Sequence, residues 1–198
     1  MGEDKALVSL AGRPLIAHAV DILHRAGLAA HIAGARSPLG AFAPVVEDME
    51  ADRGPLGGIC AALASTAARW SVFLPVDLPL MPPLLLGYLL NHARIVEAAV
   101  TLPAVNEFAQ TFPAVVDRAA LPIFEGELKA GRGGCFAAFK AAAGRLGGLS
   151  QVAVESLVQC GQVAHSGDMP PIWWFLNVNA AGDLKKAETY LAGPHRVI

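Results

Sequence analysis

The sequence predicts an α/β fold: one domain, residues 1–198, with a mostly parallel sheet between two layers of helices. Apolar segments of strand length alternate along the chain with segments of helical period. Hydrophobic residues make up 54% of the 198 residues and charged residues only 16%, against a usual charged share of roughly 25%. That balance suits strands buried on both faces. A chain of this length can hold a full hydrophobic core.

Each element has its own signal. Pro14 sits well at a first helical turn, Leu15, Ile16, Ala19, Val20 and Leu23 follow at helical spacing, and Gly27 is a natural stop. Ala29 to Ala35 reads as a short strand, and Pro44-Val45-Val46 as another. Gly54-Pro55 starts a small-residue helix that runs to about Ala68. Trp70 to Val76 is the clearest buried strand, and it leads straight into Asp77. Pro82-Pro83 opens a helix ending at Leu90 or His92. Val96 to Leu102 and Gln110 to Val116 read as strands, and Leu121–Ala130 and Cys135–Ala143 as helices. Gln151 to Val154 and Phe175 to Val178 complete the strands, and Ala180 to Leu191 forms the last helix.

Charge and cysteine usage narrow the function classes. A net charge of −2 supplies no basic footprint for nucleic acid, so a polyanion would be held by a few local cations and backbone amides. Cys60, Cys135 and Cys160 have no metal-binding spacing, which suits a reduced, cytoplasmic protein with its thiols in packing roles. The apolar run from Trp70 to Leu90 is broken by Pro75, Pro79, Pro82 and Pro83, which argues against a membrane span. The scarcity of surface charge admits a homo-oligomer.

Asp77 is the first candidate for chemistry. Ligands of open α/β sheets gather outside the carboxyl ends of the strands. A lone carboxylate there is costly unless a cation or amide donors compensate it. Mg²⁺ takes one or two carboxylates together with phosphate oxygens and water. Composition alone leaves this reading level with another, in which Asp77 caps the following helix or closes a turn. Gly54, Pro55 and Gly58 open a helix whose amino terminus offers free amides to an anion, although standing alone the segment reads first as a common Gly-Pro turn. Asn177 and Asn179 would point to one face of a strand and could hydrogen-bond a ligand, an alternation that equally fits an edge strand with a wet face.

These pieces occur in an order that resembles the molybdenum cofactor guanylyltransferases, a branch of the Rossmann-like, nucleotide-diphospho-sugar transferase-like fold. Met1-Gly2-Glu3-Asp4-Lys5-Ala6-Leu7 is similar to the family's Met-Gly-x-Asp-Lys-x-Leu. Asp48 with Gly54-Pro55-Leu56-Gly57-Gly58-Ile59 resembles its Asp followed by Gly-Pro-Leu-x-Gly-Ile. Asp77-Leu78-Pro79 through Pro82-Pro83 resembles its Asp-x-Pro-x-x-Pro-Pro, and Phe175 to Asn179 its Phe-x-Asn-x-Asn. The resemblance implies transfer of GMP from GTP to molybdopterin with release of pyrophosphate. It makes Asp77 the Mg²⁺ ligand, Lys5 a cation on the phosphates, and Asp48 a contact to base or ribose. Gly54, Pro55 and Gly58 would line the nucleotide, and Asn177 and Asn179 would bind the pterin. Gly-Pro-Leu-x-Gly separates the guanylyl branch from the cytidylyl branch, which resembles Gly-Met-x-x-Ser-Leu at this place. A cytidylyltransferase remains the enzyme alternative, and a homologue binding cofactor or a molybdoenzyme without turnover remains the other.

Three departures qualify the resemblance. His31 to Arg36 stands where the family has Val-Asn-Ala-Asn, and Ala180-Ala181-Gly182 replaces a Thr-Pro helix start. The family also carries a strand and a Leu-Ala-Gly-Gly loop ahead of the Met-Gly motif. The expectation is that this strand and its phosphate-binding amides are missing from the chain as written, with its start placed at an internal Met.

Overall fold

The computed structural model describes residues 4–34, 37–46, 53–165 and 169–192. A short 3₁₀ turn, Lys5–Leu7, leads to the ribbon of β1 (Ser9–Leu10) and β2 (Arg13–Pro14) and then to α1 (Leu15–Arg25). Leu15, Ile16, Ala19 and Ile22 form the buried stripe of α1, and Gly27 ends it at φ +76°, a conformation with little steric cost for glycine. The strands β3 (Ile32–Ala33) and β4 (Val45–Val46) pair in parallel, and α2 (Gly54–Ser65) follows.

Next come β5 (Trp70–Phe73), α3 (Pro83–Val96), β6 (Val100–Val105), β7 (Phe108–Ala109) and β8 (Ala114–Asp117). The chain continues through α4 (Leu121–Lys129), α5 (Cys135–Ala143), β9 (Leu149–Ala153) and α6 (Val154–Gln159), and ends in α7 (Pro171–Trp174) and α8 (Ala181–Leu191). The main sheet runs β5-β8-β6-β7, with β9 also paired to β6.

The α/β reading holds, and the sheet is mixed. Within the five-stranded sheet the β6–β9 ladder is parallel, and β8 runs antiparallel to both β5 and β6. The local cause is the β6–β7 hairpin, whose Asn106 and Glu107 both take positive φ, as a tight two-residue hairpin turn requires. The chain turns back there instead of crossing over through a helix.

Two cores sit on the two faces of this sheet. Val100, Leu102, Ala114 and Val116 pack with Leu56, Ile59, Phe124 and Phe139 from α2, α4 and α5. Val105, Val115 and Val152 pack with Leu15, Ile22, Leu85, Leu89 and Leu157 from α1, α3 and α6. The period-2 alternation along β6 and β8 sends neighbouring residues to opposite cores, which is the three-layer arrangement.

Some boundaries moved. The helix expected to stop by His92 continues to Val96, and Glu97 takes the left-handed position after it, a place usually held by glycine. The strand expected from Val96 therefore begins at Val100. Phe175 to Val178 is irregular chain rather than a strand, because its Val178 amide bonds to the Asp77 carbonyl at 2.9 Å instead of entering a ladder. No helix among the described residues is long and apolar enough to cross a membrane. The Cys60 thiol is buried, and burial pushes its pKa up to about 11, which fits a packing role.

Phe139 is fully buried between Phe112 and Phe124, with ring centroids 6.1 and 5.7 Å away. Phe139→Ala is expected to lower stability by about 3–5 kcal/mol. Urea unfolding followed by circular dichroism checks this, and a loss under about 1 kcal/mol would contradict the packing described.

Candidate functional site

Asp77 lies four residues past the end of β5, in a turn closed by the Leu78 amide on the Pro75 carbonyl at 3.4 Å. Its carboxylate does not cap α3: Pro82 is the N-cap there and no side-chain cap bond is made. Instead Lys5 Nζ donates to Asp77 Oδ2 at 2.7 Å and also to Asn179 Oδ1. Three segments separated by 72 and 174 positions thus meet at one ammonium group. The Asp77 side chain is 21% exposed and that of Lys5 40%, so the junction sits at the surface of a cleft.

Local structure aims each partner. Asp4 caps the 3₁₀ turn by accepting from the Ala6 amide at 3.0 Å, and Ala6 is buried against Ile16, Ala30 and Ile32. That packing fixes the backbone from which Lys5 projects. Asn179 is held from the other side. Asp183, in the first turn of α8, accepts from the Asn179 and Ala180 amides at 3.2 and 3.0 Å. An acidic residue reaching back to the helix start satisfies amides that α8 leaves open, so the missing Thr-Pro start is compensated. Asn177 donates over a long 3.5 Å to the Phe175 carbonyl and does not join the junction.

A trough of about 1440 Å³ opens beside this junction. Gly54, Pro55, Gly58, Asp77 and Asn177 all contribute to its wall. Gly54 starts α2 at φ +63°. A Cβ at Gly57 would fall 2.6 Å from the Arg53 Cβ, so glycine is sterically required there. At Gly58 a Cβ would make ordinary 3.6 Å contacts with Ala33 and Gly34, so space alone does not demand it. Asp48 lies outside the described residues.

The trough is also where the sheet divides. The Trp70–Val76 segment lines one side and Ile32 to Gly34 the other, while β5 pairs only with β8 and β3 only with β4 among the described residues. The volume exceeds the roughly 300–1,000 Å³ usual for a small-molecule pocket. Arg94 and Phe112 line it as well. Arg94 escaped the sequence reading because α3 was ended too early, and Phe112 because an aromatic in a strand signals packing first. The Trp173-Trp174 pair serves packing: Trp174 is buried with its indole N–H on the Met169 carbonyl at 2.9 Å, and the Trp173 ring lies tilted against Tyr190 with centroids 5.0 Å apart.

One carboxylate and one amide oxygen are hard donors of the kind Mg²⁺ takes. Among the described residues no cluster of three or more His, Cys, Asp or Glu could hold a metal.

A basic glycine loop flanks the start of α2. Arg132 donates to both Glu127 oxygens at 2.6 and 2.9 Å, and Arg53 reaches the Leu128 carbonyl at 3.4 Å. The Arg132 guanidinium holds the Glu127 carboxyl below its usual range.

The MobA-like NTP transferase domain matches residues 1–156. A molybdenum cofactor guanylyltransferase of Xanthomonas euvesicatoria is 42% identical over 95 residues, covering 48% of this chain and 49% of that protein. One from Vibrio cholerae is 40% identical over 83 residues, covering 40% and 41%. The chain thus spans about half the length, or less, of these curated relatives. The molybdopterin-guanine dinucleotide biosynthesis protein A of Archaeoglobus fulgidus superposes with a TM-score of 0.75 at 21% identity, covering 96% of this chain and 92% of that one. That likeness is one of fold.

The Glu127 shift carries a sign. A depressed carboxyl pKa adds stability above the unfolded value of about 4.3, and this is lost as pH falls through the folded value. Arg132→Gln is therefore expected to unfold at lower urea than the parent at pH 7, with the gap closing below about pH 4. A gap unchanged with pH would contradict the assignment.

Proposed function

The chain belongs to the MobA-like NTP transferase family, and from that premise we propose that it transfers GMP from GTP to molybdopterin. An oxygen of the molybdopterin phosphate attacks the α-phosphorus of GTP, the bond to the bridging oxygen breaks, and pyrophosphate leaves. The observation that carries the proposal is the meeting of Lys5, Asp77 and Asn179 at one point, with Asp77 on the wall of the trough that Gly54 and Gly58 also line. The convergence of separate pieces of one motif set supports this reading.

The roles follow from chemistry. Asp77, with Asn179 next to it, would hold the divalent cation, because both present hard oxygens that already attract a cationic group. Mg²⁺ bound there neutralises phosphate charge and orients the reacting groups. Lys5 stabilises charge growing on the leaving pyrophosphate. The first amides of α2, reached past Gly54 and Pro55, face the nucleotide. Asp48 accepts from the N1–H and 2-amino edge of guanine. Asn177 and Asn179 bond the pterin. No covalent enzyme intermediate is needed. Handover to a molybdoenzyme and self-association belong to the same proposal.

The trough supports the view that the working domain contains one more extended segment, with its phosphate loop, between β3 and β5. Two strand edges that are unpaired among the described residues border the space, and unpaired edges accept an added strand.

Two outcomes are expected. Mg-GTP with molybdopterin releases pyrophosphate, Mg-CTP does so far more slowly, and Asp77→Asn lowers the rate on the order of a hundredfold or more. Turnover with CTP alone would sink the guanine assignment, and unchanged turnover in Asp77→Asn would sink the site. A chain extended ahead of Met1 by an apolar strand should show slower amide exchange along the outer edge of β5. Unchanged exchange there would rule the added strand out.

A further inference from the structure

The ammonium of Lys5 contacts the oxygens that the proposed metal site would use. It lies 2.7 Å from Asp77 Oδ2 and on Asn179 Oδ1 at the same time. A divalent cation bound to these atoms would sit about 2.0–2.1 Å from each oxygen, inside the space the ammonium fills. Two cations cannot share that position, because a metal at that distance from both oxygens would overlap the ammonium and carry the same sign of charge. Lys5 has somewhere to go. Its side chain is 40% exposed, its four-carbon stem is flexible, and its charge can rotate onto a new partner. The backbone beneath it does not need to move, since Asp4 and the buried Ala6 hold the turn.

We propose that Lys5 is a built-in competitor for the cation site, so that a divalent metal enters only as Lys5 transfers to the phosphates of an incoming nucleotide. The proposal rests on the metal-dependent reading of Asp77 above. Its consequence is coupling. Metal alone must displace an ion pair with nothing in return. Metal with a triphosphate lets the ammonium exchange one anion for another. Each ligand then raises the affinity of the other by the same factor, and Lys5 carries part of that factor. The arrangement keeps free divalent cations from settling on Asp77 ahead of the nucleotide.

Mn²⁺ binding, followed by the electron paramagnetic resonance of the free ion, tests this without turnover. With Mn²⁺ alone, Lys5→Gln is expected to bind about three- to tenfold more tightly than the parent, as removal of a half-exposed ion pair implies. Lys5→Arg keeps the charge and should stay as weak as the parent. Adding an α,β-methylene GTP analogue should tighten Mn²⁺ binding in the parent by a larger factor than in Lys5→Gln. Equal or weaker Mn²⁺ binding by Lys5→Gln would overturn the proposal, as would no binding by any of the three proteins. The pyrophosphate assay reports on the transferase reading separately: turnover with an unshifted Mn²⁺ affinity removes only the competitor role, and a shifted affinity without turnover removes only the transferase reading.

Discussion

A carboxylate four residues past the end of β5 and only 21% exposed has to be compensated, and its surroundings are arranged around that need. Asp77 emerges where β5 leaves the core, and its charge draws Lys5 from the first turn and, through Lys5, Asn179 from the approach to the last helix. The backbone repeats the link, with the Val178 amide on the Asp77 carbonyl. The two chain ends are thereby tied to one strand end. The electrostatic part is modest for groups this exposed. Its value lies in geometry, since it puts the carboxylate and the amide oxygen each within hydrogen-bond reach of one ammonium group.

The scaffold makes this placement possible through its two cores. Alternate residues of β6 and β8 feed helices on opposite faces, so the sheet cannot tilt without opening one core or the other. The close packing of such interiors transmits that rigidity to the strand ends. The trough is the exception. It separates β3 and β4 from the main sheet and leaves the outer edge of β5 facing the mouth of α2. Small and backbone-rich surfaces at Gly54, Gly58 and Gly34 face a large space there, which suits close approach of a phosphate or of another strand.

Much of the fold was legible because burial on a sheet or helix leaves a period in the sequence. The stripe of α1 and the short helices after Leu121 and Cys135 lie where their patterns put them. The run from Trp70, expected as a buried strand to Val76, instead leaves the ladder at Phe73 and is half-buried because it lines the trough. The other misread segments are those in which a long-range bond overrode local pattern. Phe175 to Val178 has the apolar character of a strand, but its amide is taken by Asp77. Glu97 ends α3 without glycine, so no punctuation marked the boundary. The mixed sheet arises from the hairpin at Asn106 and Glu107, a turn of the chain that apolar content does not encode.

The candidate residues could be named one by one from the sequence. A lone Asp after an apolar strand, a Gly-Pro helix start and paired Asn each also admit a purely structural reading, and it was their order along the chain that singled them out. What the sequence determined was this inventory, together with the layers that carry it. Only the tertiary structure decided which members touch. It joined Lys5 to both Asp77 and Asn179, turned Asn177 away, and set Arg94 and Phe112 on the trough wall. The physical reason is that contacts across 72 and 174 positions depend on how helices and strands pack, and packing is a property of the whole core rather than of any local string.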